Sequence, residues 1–275
     1  MNTILRSWEN LAFRQRAVIH TRYRIQSRLG MGSYGVAYLC QDIAANRLCV
    51  LKRISLLHGG SLRAQRIFDQ ETAALEHLNH PGIPDLYERF QIGRHLCFTM
   101  EYFEGKSVDE LLFHENRIYS ESQSLLLIKR LLGVVEHLHS HGMVHRDIRT
   151  ANVIVNQEQV RLIDLGLARK LDDEDSDSSD PYDVDEDEPL EKKLRRRVHV
   201  TSDFYAVGHL LLFLLYSNYS SKEGNEDNQD LSWEQELSIH PHTKKLLRRL
   251  LMTEQPIDHT QDIIEQIDQI LLQLK

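Results

Sequence analysis

The stretch "MVHRDIRTANVIV" (143–155) sets Asp147 five residues before Asn152, directly ahead of an apolar run. An acid and an amide at that spacing suit a catalytic base beside a metal-binding oxygen, or a polar turn between a helix and a strand. Seventeen residues beyond Asp147, "LIDLGLA" places Asp164 at a strand end before a glycine. A carboxylate there is a natural position for a divalent cation that prefers oxygen ligands, and Asn152 can supply a second oxygen. Upstream, "LGMGSYGVAY" (29–38) sets Gly30, Gly32 and Gly35 between two predicted strands. A dinucleotide fingerprint needs a strand followed by a helix, so this is a hairpin whose backbone amides can approach phosphates. Seventeen residues after Gly35, Lys52 sits in the apolar strand "CVLKRI", and Glu71 follows in the next helix. A lysine with apolar neighbours needs a partner, because an unpaired buried ammonium is costly.

The elements that must position these residues fall into two groups. Short strands are predicted over "YRIQSRLG", "GVAYLCQD" and "RLCVLKRI", then near 83–90 and 95–101, with one helix over 62–79. From residue 107 the pattern turns helical, at about 107–114, 121–140, 203–217, 242–252 and 260–274, interrupted by strands within 153–164. Residues 1–22 carry Ile4, Leu5, Trp8, Leu11, Val18 and Ile19 at roughly helical spacing, so an N-terminal helical extension is expected.

Composition bounds the class. With 41% hydrophobic and 27% charged residues among 275, the chain can bury a large core. The longest apolar run, "HLLLFLLY" (209–216), is too short to span a bilayer, and no signal peptide is evident, so a cytoplasmic chain is expected. Cys40, Cys49 and Cys97 fit neither a disulfide framework nor a zinc site. Net charge is −8, yet residues 171–190 alone hold eleven Asp or Glu and no Lys or Arg, leaving 33 basic and 30 acidic residues elsewhere. That is one acidic loop, not an acidic protein. His137, His139 and His141 lie two apart before Gly142, which reads as a polar helix end rather than a metal site.

Together, "GMGSYGVA", "VLK", Glu71, "MEYFEG", "HRDIRTAN", "DLG" and "SDFYAVG" occur in an order and spacing that resemble eukaryotic-type (Hanks-type) serine/threonine protein kinases, in particular compact bacterial ones. The resemblance implies an α+β bilobal fold. It has a small antiparallel sheet lobe with one main helix (about 23–100), a hinge (101–105), a larger helical lobe (about 106–272) and an acidic activation loop (about 164–200). It implies ATP and Mg²⁺ (or Mn²⁺) as cofactors, protein substrates including the chain itself, and neither nucleic-acid binding nor a transmembrane segment. Under it, Gly30, Met31, Gly32, Ser33 and Gly35 would cover the phosphates. Lys52, held by Glu71, would bind them, and Ala37, Val50, Met100, Glu101, Phe103 and Ile154 would surround the adenine. Asn152 and Asp164 would hold the metal, Asp147 would take the acceptor proton, Arg149 would neutralise the moving phosphoryl group, and Asp203 would support the catalytic loop.

Several positions depart from the family pattern. Ala37 and Val50 exchange a usual Val and Ala, which roughly keeps pocket volume. "DLG" stands for Asp-Phe-Gly, and Arg149 stands where serine/threonine kinases mostly carry Lys, which blurs the acceptor class. The Ala-Pro-Glu signature is missing, with "EPLE" (188–191) its nearest remnant, and His259 replaces the Arg that would pair with it. The acidic run reads as a solvated activation loop or, alternatively, as carboxylates that substitute for a loop phosphate opposite Arg146. The alternatives are a small-molecule kinase of the same fold and a nucleotide-binding regulatory protein. Lys52, Asp147 and Asp164, all retained, weigh against the latter.

Overall fold

The computed structural model describes residues 13–32, 35–55, 60–172, 194–195, 197–219, 231–251 and 257–274. The chain divides into two compact units, Met1–Glu104 and Gly105–Lys275. Among the described residues, the first unit is an antiparallel sheet in the order β1-β2-β3-β4-β6-β5. Its strands are β1 (Val18–Ile19), β2 (Tyr23–Met31), β3 (Gly35–Asp42), β4 (Arg47–Ile54), β5 (Leu86–Ile92) and β6 (His95–Glu101). Helix α1 (Gly60–His77) joins β4 to β5.

Register sorts this sheet into two faces, because side chains alternate along each strand. Tyr23, Ile25, Tyr38, Cys40, Cys49, Leu51 and Cys97 form one apolar core with Phe13 and Ile19. All three cysteines are buried free thiols, and burial pushes Cys40 and Cys97 up to about 12 and Cys49 up to about 11, so none is a ready nucleophile. On the opposite face, Gly30 pairs Ala37, Ala37 pairs Lys52, and Val50 pairs Met100. The pairing thus lines five of the predicted nucleotide residues along one surface.

The expected N-terminal helix is corrected over its described part. Residues 13–22 form turns and the short strand β1, while residues 1–12 lie outside the described residues. Arg16, His20 and Thr21 take positive φ, which a right-handed helix excludes. Instead Arg16 N–H donates to Ile25 O and Ile25 N–H to Ala17 O. Phe13 stacks on Tyr38 at 5.8 Å between centroids, His20 on Phe90 at 4.6 Å, and Arg22 grips the buried Asp42 through two 2.8 Å bonds. Phe13 and Ile19 of this segment are buried in the sheet core.

The second unit is mainly helical: α2 (Glu121–Ser140), α3 (Val200–Tyr216), α4 (Trp233–Glu236), α5 (Pro241–Leu251) and α6 (Thr260–Gln273). A capping box starts α2, with Ser120 Oγ accepting from Gln123 N–H and Gln123 Oε1 from Ser120 N–H. Helix α3 is apolar nearly all round and its core residues are buried, as a central helix requires. Strands β7 (Lys106–Ser107), β9 (Val153–Asn156) and β10 (Gln159–Leu162) form a small sheet, and β8 (Met143–Val144) pairs β11 (Arg169–Lys170). The helix expected at 107–114 forms over 108–114, its last turn Glu110–His114 being π-helical, while Ser107 just before it pairs with β9. Gly105 permits that pairing, since at φ 135° a Cβ there would lie 2.6 Å from Val155 O.

Candidate active site

In the first unit, Lys52 Nζ and Glu71 Oε1 stand 2.5 Å apart, both side chains buried, joining β4 to α1. Two flanking strands and a helix thus hold one ammonium in place. The hairpin joining β2 to β3 is closed by Gly32 N–H to Gly35 O at 2.9 Å, while its tip, with Ser33, lies outside the described residues. Its glycines have different causes. A Cβ on Gly35 would sit 2.4 Å from Arg53 O, so the packing of β3 on β4 demands glycine there. At Gly30 and Gly32 a Cβ would meet nothing within 4 Å, and Met31 between them is 73% exposed. Val50 and Met100 are buried at the sheet's end, Phe103 is buried beyond it, and Glu101 N–H is taken by Asp85 O at 2.9 Å.

In the second unit, the loop from His145 to Asn152 is held by side chains distant in sequence. Buried Asp203, in the first turn of α3, accepts the backbone N–H of His145 at 2.9 Å and of Arg146 at 2.8 Å. It accepts His139 Nε2–H as well, at 2.9 Å. Burial alone would push its carboxyl up; the bonds from His139 and the loop outweigh this and hold it below the ordinary carboxylate range. The grip maintains Arg146 at φ 65°, a left-handed conformation unusual for a residue with a Cβ. Asp147 N–H donates to His145 Nδ1 at 3.2 Å, and Arg146 reaches Leu167 O at 3.4 Å.

Asn152 Nδ2 then clamps Asp147 twice, at its carbonyl (2.9 Å) and at Oδ2 (2.8 Å). Arg149 Nε lies 3.4 Å from the same Oδ2, with its side chain 55% exposed. Burial raises the Asp147 carboxyl above its usual range and Asp164's charge adds to that, while Arg149, His145 and the Asn152 bond oppose it. A fixed carboxylate with raised basicity beside an exposed guanidinium can take a proton next to an anion. Asp164 is also left-handed, at φ 69°, and its Oδ1 accepts Gly166 N–H at 3.3 Å. Asn152 O accepts Ile163 N–H at 2.9 Å, which ties the Asn152 turn to the strand leading into Asp164. Ile154 lies half-buried on β9, opposite Ser107 and Arg161.

Two site features are absent from the sequence reading. His139 is no mere polar helix end: it falls four residues after Val135 and seven after Leu132, on the buried stripe of α2, and a buried imidazole needs a partner. That periodicity was the available signal. His137 and His141, four apart, share a face, with ring centroids 4.2 Å apart. The second feature is Thr150 Oγ1 donating to Asp109 Oδ1 at 2.9 Å, a bond across 41 residues that no local pattern announces. "EPLE", the acidic run 173–190 and its partnership with Arg146 lie outside the described residues, and His259 is the residue before α6.

A protein kinase domain profile matches residues 23–271. The chain belongs to the protein kinase family. It is 34% identical over 254 residues to the Bacillus subtilis protein named "Probable serine/threonine-protein kinase YbdM", covering 92% of this chain and 91% of that one. It is also 29% identical over 245 residues to serine/threonine-protein kinase PknA of Nostoc, covering 84% of this chain and 41% of PknA. Over 157 residues it is 32% identical to serine/threonine-protein kinase cds1 of Schizosaccharomyces pombe, covering 55% of this chain and 34% of cds1. Family membership makes the chain a phosphotransferase with the α+β kinase fold, and the family generally uses ATP and Mg²⁺. Among the described residues no helix is long and apolar enough to cross a membrane.

Proposed function

We propose that the chain transfers the γ-phosphoryl group of ATP to Ser or Thr hydroxyls of cytoplasmic proteins, itself included. The observation that carries this reading is the clamp on Asp147: both carbonyl and carboxylate are fixed by Asn152, and its basicity is raised by burial. Asp147 orients the acceptor hydroxyl and takes its proton, and Arg149 offers its guanidinium to the phosphoryl oxygens. Lys52, paired with Glu71, holds the phosphate chain, and at Gly30 and Gly32 no packing neighbour within the sheet demands glycine.

The donor atoms fit the metal. Asn152 and Asp164 offer hard oxygens, which suit Mg²⁺, and Mn²⁺ can replace it. Bound there, the ion would neutralise charge on the phosphate chain. The names of the relatives favour protein acceptors over the small-molecule alternative, and Ser/Thr over Tyr.

The test is transfer from γ-labelled ATP with Mg²⁺ to the chain and to generic protein acceptors, with Asp147→Asn as control and mapping of the labelled residues. Label on Ser or Thr that vanishes in the variant is the expected result. Tight ATP binding with no labelled protein would overturn the reading.

A further inference from the structure

We propose that Asp109 is a positioning residue for phosphoryl transfer, holding through Thr150 the stretch that carries Asp147 and Arg149. The inference rests on the phosphotransfer reading above and adds a residue to it. Asp109 lies inside the helical turn that follows Ser107, with helical backbone angles (φ −57°, ψ −51°). Ser107 Oγ caps that turn by accepting the Glu110 N–H at 3.1 Å, and the Asp109 carboxylate accepts Thr150 Oγ1–H at 2.9 Å. A bond to an ionised acceptor is stronger than one between neutral groups.

Both ends of this bond are firmly placed. On the Asp109 side, Ser107 pairs with Ile154 and Lys106 with Val155, so the segment is built on β9 itself. On the other side, Thr150 opens the 3₁₀ turn Thr150–Asn152, closed by Asn152 N–H to Arg149 O at 2.9 Å. That turn aims the Asn152 amide at Asp147. Asp203 grips the loop at His145 and Arg146 but reaches no further. Exposed, extended Arg149 (φ −154°, ψ 167°) therefore depends on its neighbour Thr150 for its direction. Small errors of placement carry a large kinetic cost when groups must meet in one geometry.

The test compares Thr150→Val, Thr150→Ser, Asp109→Asn and the Asp109→Asn/Thr150→Val pair in the full chain. Steady-state transfer is measured alongside hydrogen exchange of the segment 145–153 without ligand. Thr150→Val should lower kcat on the order of ten- to a hundred-fold with the KM for ATP changed less than about twofold, because nucleotide contacts are untouched. Thr150→Ser should restore kcat, the double variant should be no worse than Thr150→Val alone, and exchange should rise in Thr150→Val but not in Thr150→Ser. A kcat for Thr150→Val within about twofold of wild type, multiplying losses in the double variant, or unchanged exchange would each overturn the proposal. A wild-type chain without transferase activity would instead defeat the phosphotransfer reading, and hydrogen exchange would still decide whether Asp109 orders the loop.

Discussion

The sheet of the first unit and the catalytic loop of the second hold polar groups in place by different physics. In the sheet, backbone register does the positioning: once Ala37 pairs with Lys52 and Lys52 with Phe98, the ammonium has only one face to occupy, and the ion pair to Glu71 helps to hold it there. In the loop there is almost no regular backbone pairing. Order comes from side chains gripping backbone, with Asp203 upstream, Asn152 within and Asp109 from the side. A register-built site should survive loss of its ion pair as a fold. A side-chain-built site should not survive loss of its central carboxylate.

The largest effect is therefore expected at Asp203. Replacing it with Ala orphans two buried backbone amides and His139, and should cost about 3–5 kcal/mol in chemical denaturation along with all activity. Retention of near-wild-type stability would show that the loop is ordered by its backbone after all. Next comes the Lys52 and Glu71 pair. Lys52→Met alone leaves a buried carboxylate and should also destabilise by about 3–5 kcal/mol, whereas Lys52→Met with Glu71→Leu should recover most of that, without recovering transfer. Were the double variant as unstable as the single, the pair would be a structural support and the contrast between the two regions would collapse.

Phe13→Ala probes the sheet's other face, where the ring closes the core over Tyr38. A loss of about 3 kcal/mol is expected, with the three cysteines becoming accessible to a thiol reagent. Full activity and protected thiols would place the N-terminal segment outside the folding unit.

The smallest effect on stability, with the largest on chemistry, belongs to Asp147. Its carboxyl is raised in the folded chain, so ionising it costs stability as pH rises past the ordinary aspartate value of about 3.9. Asp147→Asn should thus be no less stable than wild type at neutral pH, while transfer falls on the order of 10²–10⁴-fold. Asp203 has the opposite sign. Its depressed carboxyl contributes stability that is present above about 3.9 and is lost as pH falls through the still lower folded value. Acid titration of wild type and Asp147→Asn, followed by circular dichroism, separates the two: the variant should lose only the Asp147 contribution. The acid limb of the transfer rate should lie above the pH at which an unperturbed aspartate titrates.

Much of this was legible beforehand. Strands β3 and β4 and helix α2 begin and end where alternation and the helical apolar period put them, because those signals are local. Residues 13–22 were not legible, since three non-glycine residues adopt left-handed turns there. The 107–114 stretch is helical from 108 onward, as its apolar period predicts, and only Ser107 joins β9, where Gly105 lets the backbone approach.

Residue types and spacing by themselves determined which groups could do chemistry: a carboxylate and an amide five apart, an acid before glycine, and a lysine in an apolar strand with a glutamate to meet it. Those are properties of local covalent order. Tertiary structure alone decided which groups hold them. The partners of His139 and Thr150 lie 64 and 41 residues away, and buried polar groups pair by proximity in space. The raised carboxyl of Asp147 and the lowered one of Asp203 follow from that same folding, because the charge cost of an aspartate depends on what surrounds it.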